Sequence, residues 1–193
     1  MAPERLDRRV KYTKMVLKRS LLELMTDKPV GKVTIKEICE LADVNRGTFY
    51  KHYNDQYELL HEIQNVLYAD NMAAIEKRHT HSSSSSEIIK ETFRCIAAHR
   101  SLCKVLFSEY GDREFLKKLM YLAHDQFIEE WQTKLKNADI KQLNRFYTYM
   151  ANGIIAVIQE WLKSDMSESL EEIALFVDMA SKRGLSSFVQ NIE

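Results

Sequence analysis

The chain has 193 residues, 45% of them hydrophobic and 29% charged, enough for one sizeable core or for a small domain joined to a larger one. Two prolines and five glycines favour long helices, and no apolar run reaches the roughly 20 residues that span a bilayer. The formal charge is zero, which taken alone argues against a nucleic-acid partner.

The charge is unevenly placed, however. Residues 1–53 hold twelve Lys and Arg against seven Asp and Glu, a net +5, which leaves −5 on the remainder. A basic head on an acidic body is the asymmetry expected of a DNA-binding module joined to an effector domain. The charged segment Met1–Arg9 has no apolar stretch of the signal-peptide kind, so the expected location is the cytoplasm. Cys39, Cys95 and Cys103 show no CxxC spacing and read as buried thiols rather than a disulfide framework or metal cluster, with a Cys95–Cys103 thiol sensor as the sharper alternative.

A first helix is expected over Asp7–Met25, where Val10, Met15, Val16, Leu21, Leu22 and Met25 recur at helical spacing. Pro29 and Gly31 break it. Thr34 and Glu37 form a capping box that opens a short helix over Ile35–Leu41. The turn Asp43-Val44-Asn45 leads into a third helix over Arg46–His52, and two short helices so joined make a helix-turn-helix unit. A long helix is expected over Gln56–His79, with a serine-rich connection at Ser82–Ser86. Further helices are expected over Glu87–His99, Leu102–Phe107, Arg113–Lys136, Ile140–Lys163 and Glu168–Gln190. No fixed-period repeat and no sustained β-alternation is present.

The segment Val33–Tyr53, with Thr34, Ile35, Ile38, Ala42, Val44, Gly47, Thr48, Phe49, Tyr50 and His52 in register, resembles the tetracycline-repressor (TetR) family of regulators. It departs from the family pattern at Asn45, at Tyr53, and at Gln56, where many members carry a phosphate-contacting lysine. Physical chemistry gives these positions separate tasks. Gly47 lets a helix start approach DNA closely, and Arg46 is the candidate for bidentate readout of guanine. Asn45 either reads a base or caps the helix. Thr48, Tyr50, Lys51, His52 and Tyr53 are candidate phosphate donors, as are Thr34 and the amides beside it, whereas Phe49 is read as core. Arg5, Arg8, Arg9 and Lys11 form either an N-terminal arm or a solvated face.

In the larger domain, Phe93, Phe107, Met120, His124, Phe127, Trp131, Tyr147 and Met150 sit at helical spacing. They read as plain core or as the lining of a ligand cavity, which is usual in the resembled family. Asn152-Gly153-Ile154-Ile155-Ala156-Val157-Ile158 followed by Trp161-Leu162 resembles the C-terminal domain of a subtype that includes dihydroxyacetone-linked regulators and co-activators. The resemblance also implies a dimeric four-helix bundle. Gly153 and Ala156 would permit close approach there, with Ile155, Ile158, Leu162, Ile173, Phe176, Val177 and Ala180 as apolar partners.

The expected architecture is all-α: an N-terminal three-helix helix-turn-helix DNA-binding domain over residues 1–54, and a larger helical effector-binding and dimerisation domain over 55–193, with about nine helices. The expected activity is that of a regulator, by family habit a repressor. It would bind palindromic double-stranded operator DNA as a homodimer and respond to an unknown small-molecule effector. The alternative is a co-activator of the same fold that works through protein contacts without touching DNA. Neither a catalytic constellation nor a metal-ligand spacing nor a phosphate-binding glycine loop occurs, so no enzyme activity, no metal, no cofactor and no membrane partner are expected.

Overall fold

The computed structural model describes residues 2–79, 85–135 and 138–187, and among these every regular element is a helix. The chain divides into two compact units, Met1–Leu67 with Ser108–Asp112, and Tyr68–Phe107 with Arg113–Glu193.

The first unit begins with α1 (Ala2–Leu24), which buries Val16, Leu17, Ser20 and Leu21, with Met25 just past its end. The spacing puts these residues on one face, while Tyr12 and Met15 stay exposed on another. The Thr26 hydroxyl donates to the Glu23 carbonyl, and Pro29 then starts a single 3-10 turn over Val30–Lys32. α2 (Ile35–Ala42) buries Ile38 and Cys39 but leaves Leu41 exposed. α3 (Arg46–Tyr50) follows, and α4 (Gln56–His79) completes the unit by burying Leu59, Leu60 and Ile63 near its start. These three residues explain why the unit runs to Leu67, past the expected boundary at residue 54. Each fully buried Leu or Phe in this core stabilises it by about 1.5–3 kcal/mol. In the short 108–112 segment, Asp112 accepts a 3.0 Å hydrogen bond from the buried Gln64 amide.

The second unit contains α5 (Ser85–Ala98), α6 (Arg100–Leu106), α7 (Arg113–Met120), α8 (His124–Lys134), α9 (Ile140–Lys163) and α10 (Leu170–Ser186). α10 packs most extensively on α5, and α8 on α9. Phe93 of α5 meets Trp161 of α9 with ring centroids 5.5 Å apart, and both are fully buried. The α9–α10 turn places Asp165 and Met166 at φ 62° and 60°, in the left-handed region. Arg100 and Lys104 hold the Asp165 carboxylate there, and it is kept near pKa 2 by those two cations.

Several expected elements are corrected. The single helix over Arg113–Lys136 is instead α7 and α8, separated by a 3-10 turn over Tyr121–Ala123. The His124 amide bonds back to Tyr121 rather than to Met120, and the Met120 carbonyl accepts from the Tyr147 hydroxyl of α9 instead. This split brings the α-helices from the expected nine to ten among the described residues. The serine run does not end as a loop. Ser85 and Ser86 open α5, where the Ser85 amide donates to Glu130 at 2.7 Å, while Ser82–Ser84 lie outside the described residues. The expected last helix begins later, at Leu170, behind a Ser169–Glu172 capping box, and its expected end at Gln190 lies outside the described residues.

Candidate nucleic-acid interface

The short α3 is locked from both ends. Asn45 is its N-cap, with Oδ1 accepting from the Thr48 amide at 2.7 Å and from the Thr48 hydroxyl at 3.0 Å. This gives Asn45 the capping role of the two considered, and it commits the Thr48 hydroxyl proton inside the helix. The preceding turn is closed by Asp43 at φ 52°, with the Val44 amide reaching the Cys39 carbonyl at 3.0 Å. From below, the fully buried Phe49 holds the helix against the core, its ring 5.8 Å from that of Tyr53.

What remains outward is Arg46, Gly47, Tyr50 and Lys51, with His52 half-buried. Tyr50 is 57% exposed, and neither Arg46 nor Lys51 has an ion-pair partner among the described residues. A Cβ added at Gly47 would meet only Asn45 Oδ1, at 3.4 Å, an ordinary contact. Glycine costs a helix about 1 kcal/mol relative to alanine, and no close contact among the described residues requires it at this position. Close approach of an outside surface does supply a reason.

Besides Thr48, two expected phosphate donors are corrected. Tyr53 is 2% exposed and its hydroxyl is buried, so it serves as core packing beneath α3. Burial, and then the Glu62 carboxylate, raise its phenol well above the usual range. Thr34 is engaged in the capping box: its amide donates to Glu37 Oε2 at 2.9 Å, its hydroxyl to the same oxygen at 2.8 Å, and it accepts from the Glu37 amide at 3.2 Å. Lys28 also pairs with Glu37, and together with Thr34 it lowers that carboxyl to about 2. The proposed N-terminal arm is helical, since α1 begins at Ala2. Arg8, Arg9 and Lys11 are exposed on it, whereas the Arg5 side chain lies outside the described residues.

Most of the expected ligand-cavity residues pack into the core of the second unit. Phe93, Phe107, Phe127, Trp131 and Tyr147 are buried, and Met120 and His124 half-buried. Phe127, Trp131, Phe146 and Tyr147 stack with centroids 5.2 to 6.1 Å apart, so their own rings fill the space between them. Each ring nitrogen of His124 lies 2.8 Å from an acceptor oxygen, Nδ1 from Asp125 Oδ1 and Nε2 from Asn144 Oδ1. Burial pushes the Cys95 and Cys103 thiols up to about 11 and about 12, away from the thiolate a sensor would need.

A groove of about 680 Å³ opens between α9 and α10, lined by Phe146, Met150, Gly153, Ile154, Phe176 and Ala180 among others. Of the expected cavity residues, only Met150 lines it. The expected dimer residues divide by burial. Ile158, Leu162, Ile173 and Val177 are buried in the unit's own core, because these helices also pack inward, whereas Gly153, Ala156, Phe176 and Ala180 face outward and Ile155 is half-buried. Periodicity missed the neighbours that enlarge this face: Tyr149 at 78% exposure, Leu175 and Met179.

Residues 20–63 match the model of the bacterial regulatory proteins of the tetR family, and residues 83–182 match a transcriptional-regulator C-terminal region. An uncharacterised HTH-type transcriptional regulator of Bacillus subtilis, YxbF, is 24% identical over 165 residues, which is 82% of this chain but only 42% of that protein's length. The crystal structure of a TetR transcriptional regulator from Streptococcus agalactiae superposes with a TM-score of 0.65 at 18% identity, covering 91% of this chain and 96% of that one. The dihydroxyacetone kinase operon activator DhaS superposes with a TM-score of 0.59 at 17% identity, covering 91% and 97%.

Proposed function

Because the chain belongs to the TetR family of bacterial regulatory proteins, we propose that it is a DNA-binding transcriptional regulator whose first unit reads operator DNA and whose second unit pairs with a second copy. The observation that carries the reading is α3. A capped, core-anchored helix presents Arg46, Gly47, Tyr50 and Lys51 to solvent, with neither cation ion-paired among the described residues. Arg46 is the base-reading residue, and Tyr50, Lys51 and His52 hold phosphate.

Pairing follows from the α9–α10 face. Three of its polar residues bond back within their own helices: Thr148 bonds the Asn144 carbonyl at 2.9 Å, Asn152 that of Thr148 at 2.7 Å, and Ser181 that of Val177 at 2.7 Å. Apart from Arg145, that leaves a largely apolar face suited to burial against another protein surface, and a Cβ at Gly153 would meet nothing within 4 Å. A two-fold homodimer would set two α3 helices on the half-sites of a palindrome. In this reading the protein is a cytoplasmic repressor released by a small effector, and a binding protein rather than an enzyme. No helix among the described residues is long and apolar enough to cross a membrane, which accords with this.

Selection of genomic fragments with the purified protein, followed by gel-shift titration, tests the reading. Recovery of a palindromic site is the expected result. Failure to prefer any fragment over scrambled DNA at low salt would overturn it and favour the co-activator alternative.

A further inference from the structure

We propose that Glu62 is a positioning residue for DNA recognition, a single carboxylate on α4 that clamps α1 and backs the tyrosine on which α3 rests. The inference rests on the DNA-binding reading above. Glu62 Oε2 accepts from Lys14 at 2.9 Å and Oε1 from Lys18 at 2.8 Å, so its two oxygens grip lysines one helical turn apart on α1. Tyr53 lies within the same cluster. The Lys14 ammonium stands 5.3 Å from its ring centroid, and its buried hydroxyl, which makes no well-aligned hydrogen bond, has the Glu62 carboxylate as its charged neighbour.

From there the path to the reading helix is short. The Tyr53 ring packs on Phe49, and Phe49 is the buried side of the helix that exposes Arg46 and Lys51. A shift of Tyr53 therefore moves the floor under α3. The arrangement also diverts charge. Two of the basic residues of the N-terminal segment are engaged by Glu62, which offsets one of their two charges, rather than both being offered to phosphate, as expected if their place serves geometry rather than affinity. Burial opposes ionisation of Glu62, but Lys18, Lys14 and Tyr53 outweigh it and hold the carboxyl at about 2, so the clamp is closed across the working pH range.

The test compares Glu62→Gln with wild type on two duplexes of equal length: the tightest sequence recovered by selection, and its scrambled counterpart. Freeing Lys14 and Lys18 while loosening Tyr53 should lower affinity for the selected duplex about tenfold. Affinity for the scrambled duplex should hold or rise, with a salt slope steeper by up to about 2. A purely structural lesion would instead lower both affinities by one common factor, the folded fraction being followed by circular dichroism. The double variant Lys14→Gln/Lys18→Gln opens the same clamp without releasing cations. It should lose selected-duplex affinity to a similar extent with no gain on scrambled DNA. An unchanged ratio of selected to scrambled affinity in both variants, or a parallel fall in both affinities, overturns the positioning role alone. A wild-type protein that does not distinguish the two duplexes overturns the DNA-binding reading, and this inference with it.

Discussion

On α3 and on α9 the exposed polar side chains meet opposite fates. Around α3, capping uses Asn45 and Thr48 but leaves the Arg46 and Lys51 cations without an ion-pair partner among the described residues. On α9, Thr148 and Asn152 bond back to the carbonyl one turn earlier, and what stays outward is Tyr149, Gly153 and, from α10, Phe176. The first surface offers charge that needs a counterion, the second offers carbon that needs covering. Which partner a helix awaits is thus better judged from what its own chain leaves unsatisfied than from its composition, since both regions mix polar and apolar residues.

The largest expected effect is on the second surface. Gly153→Arg should leave the folded monomer intact, because the side chain starts in open space, yet prevent pairing. Light scattering should then show a monomer, and loss of the paired half-site should weaken operator binding by roughly 10²–10⁴. A dimer of unchanged stability would break the comparison. Next, Arg46→Ala should cost about 1–3 kcal/mol on the operator while sparing scrambled DNA, as measured by competition gel shift. Equal loss on both would make Arg46 a phosphate contact.

A third effect is pH-dependent and confined to the first unit. Glu37 is held at about 2, first by Lys28 and then by Thr34, below the ordinary value of 4.5. Its contribution to stability is therefore complete above pH 4.5 and is lost as pH falls toward 2. Glu37→Gln should flatten that part of the acid-denaturation curve followed by circular dichroism. The smallest effect belongs to Lys51→Ala, which should weaken all DNA alike and reduce the magnitude of the salt slope by about 1.

The long helices and the caps were legible from sequence because their signals are local. α4 and α9 span Gln56–His79 and Ile140–Lys163 as their spacing predicts, and the Thr34–Glu37 box is present as read. Legibility failed where a residue's role depends on a neighbour far along the chain. The Tyr147 hydroxyl takes the Met120 carbonyl and divides a stretch whose periodicity is continuous. Tyr53 has the polar look of a phosphate donor and is buried beneath α3. Cooperation between Glu62 and two lysines 48 and 44 positions earlier has no sequence pattern to announce it, although the i, i+4 spacing of Lys14 and Lys18 was a visible hint.

By itself, then, the sequence determined the helical elements, the helix-turn-helix segment and the basic head, because helix period, capping chemistry and charge distribution are properties of near neighbours. Only the tertiary structure decided which faces are spent inward. It sent Ile158, Leu162, Ile173 and Val177 into the core and left Tyr149, Gly153 and Phe176 outside. It also packed the rings of Phe127, Trp131, Phe146 and Tyr147 against one another. A helix with apolar residues on two sides has no inside until other helices pack against one of them.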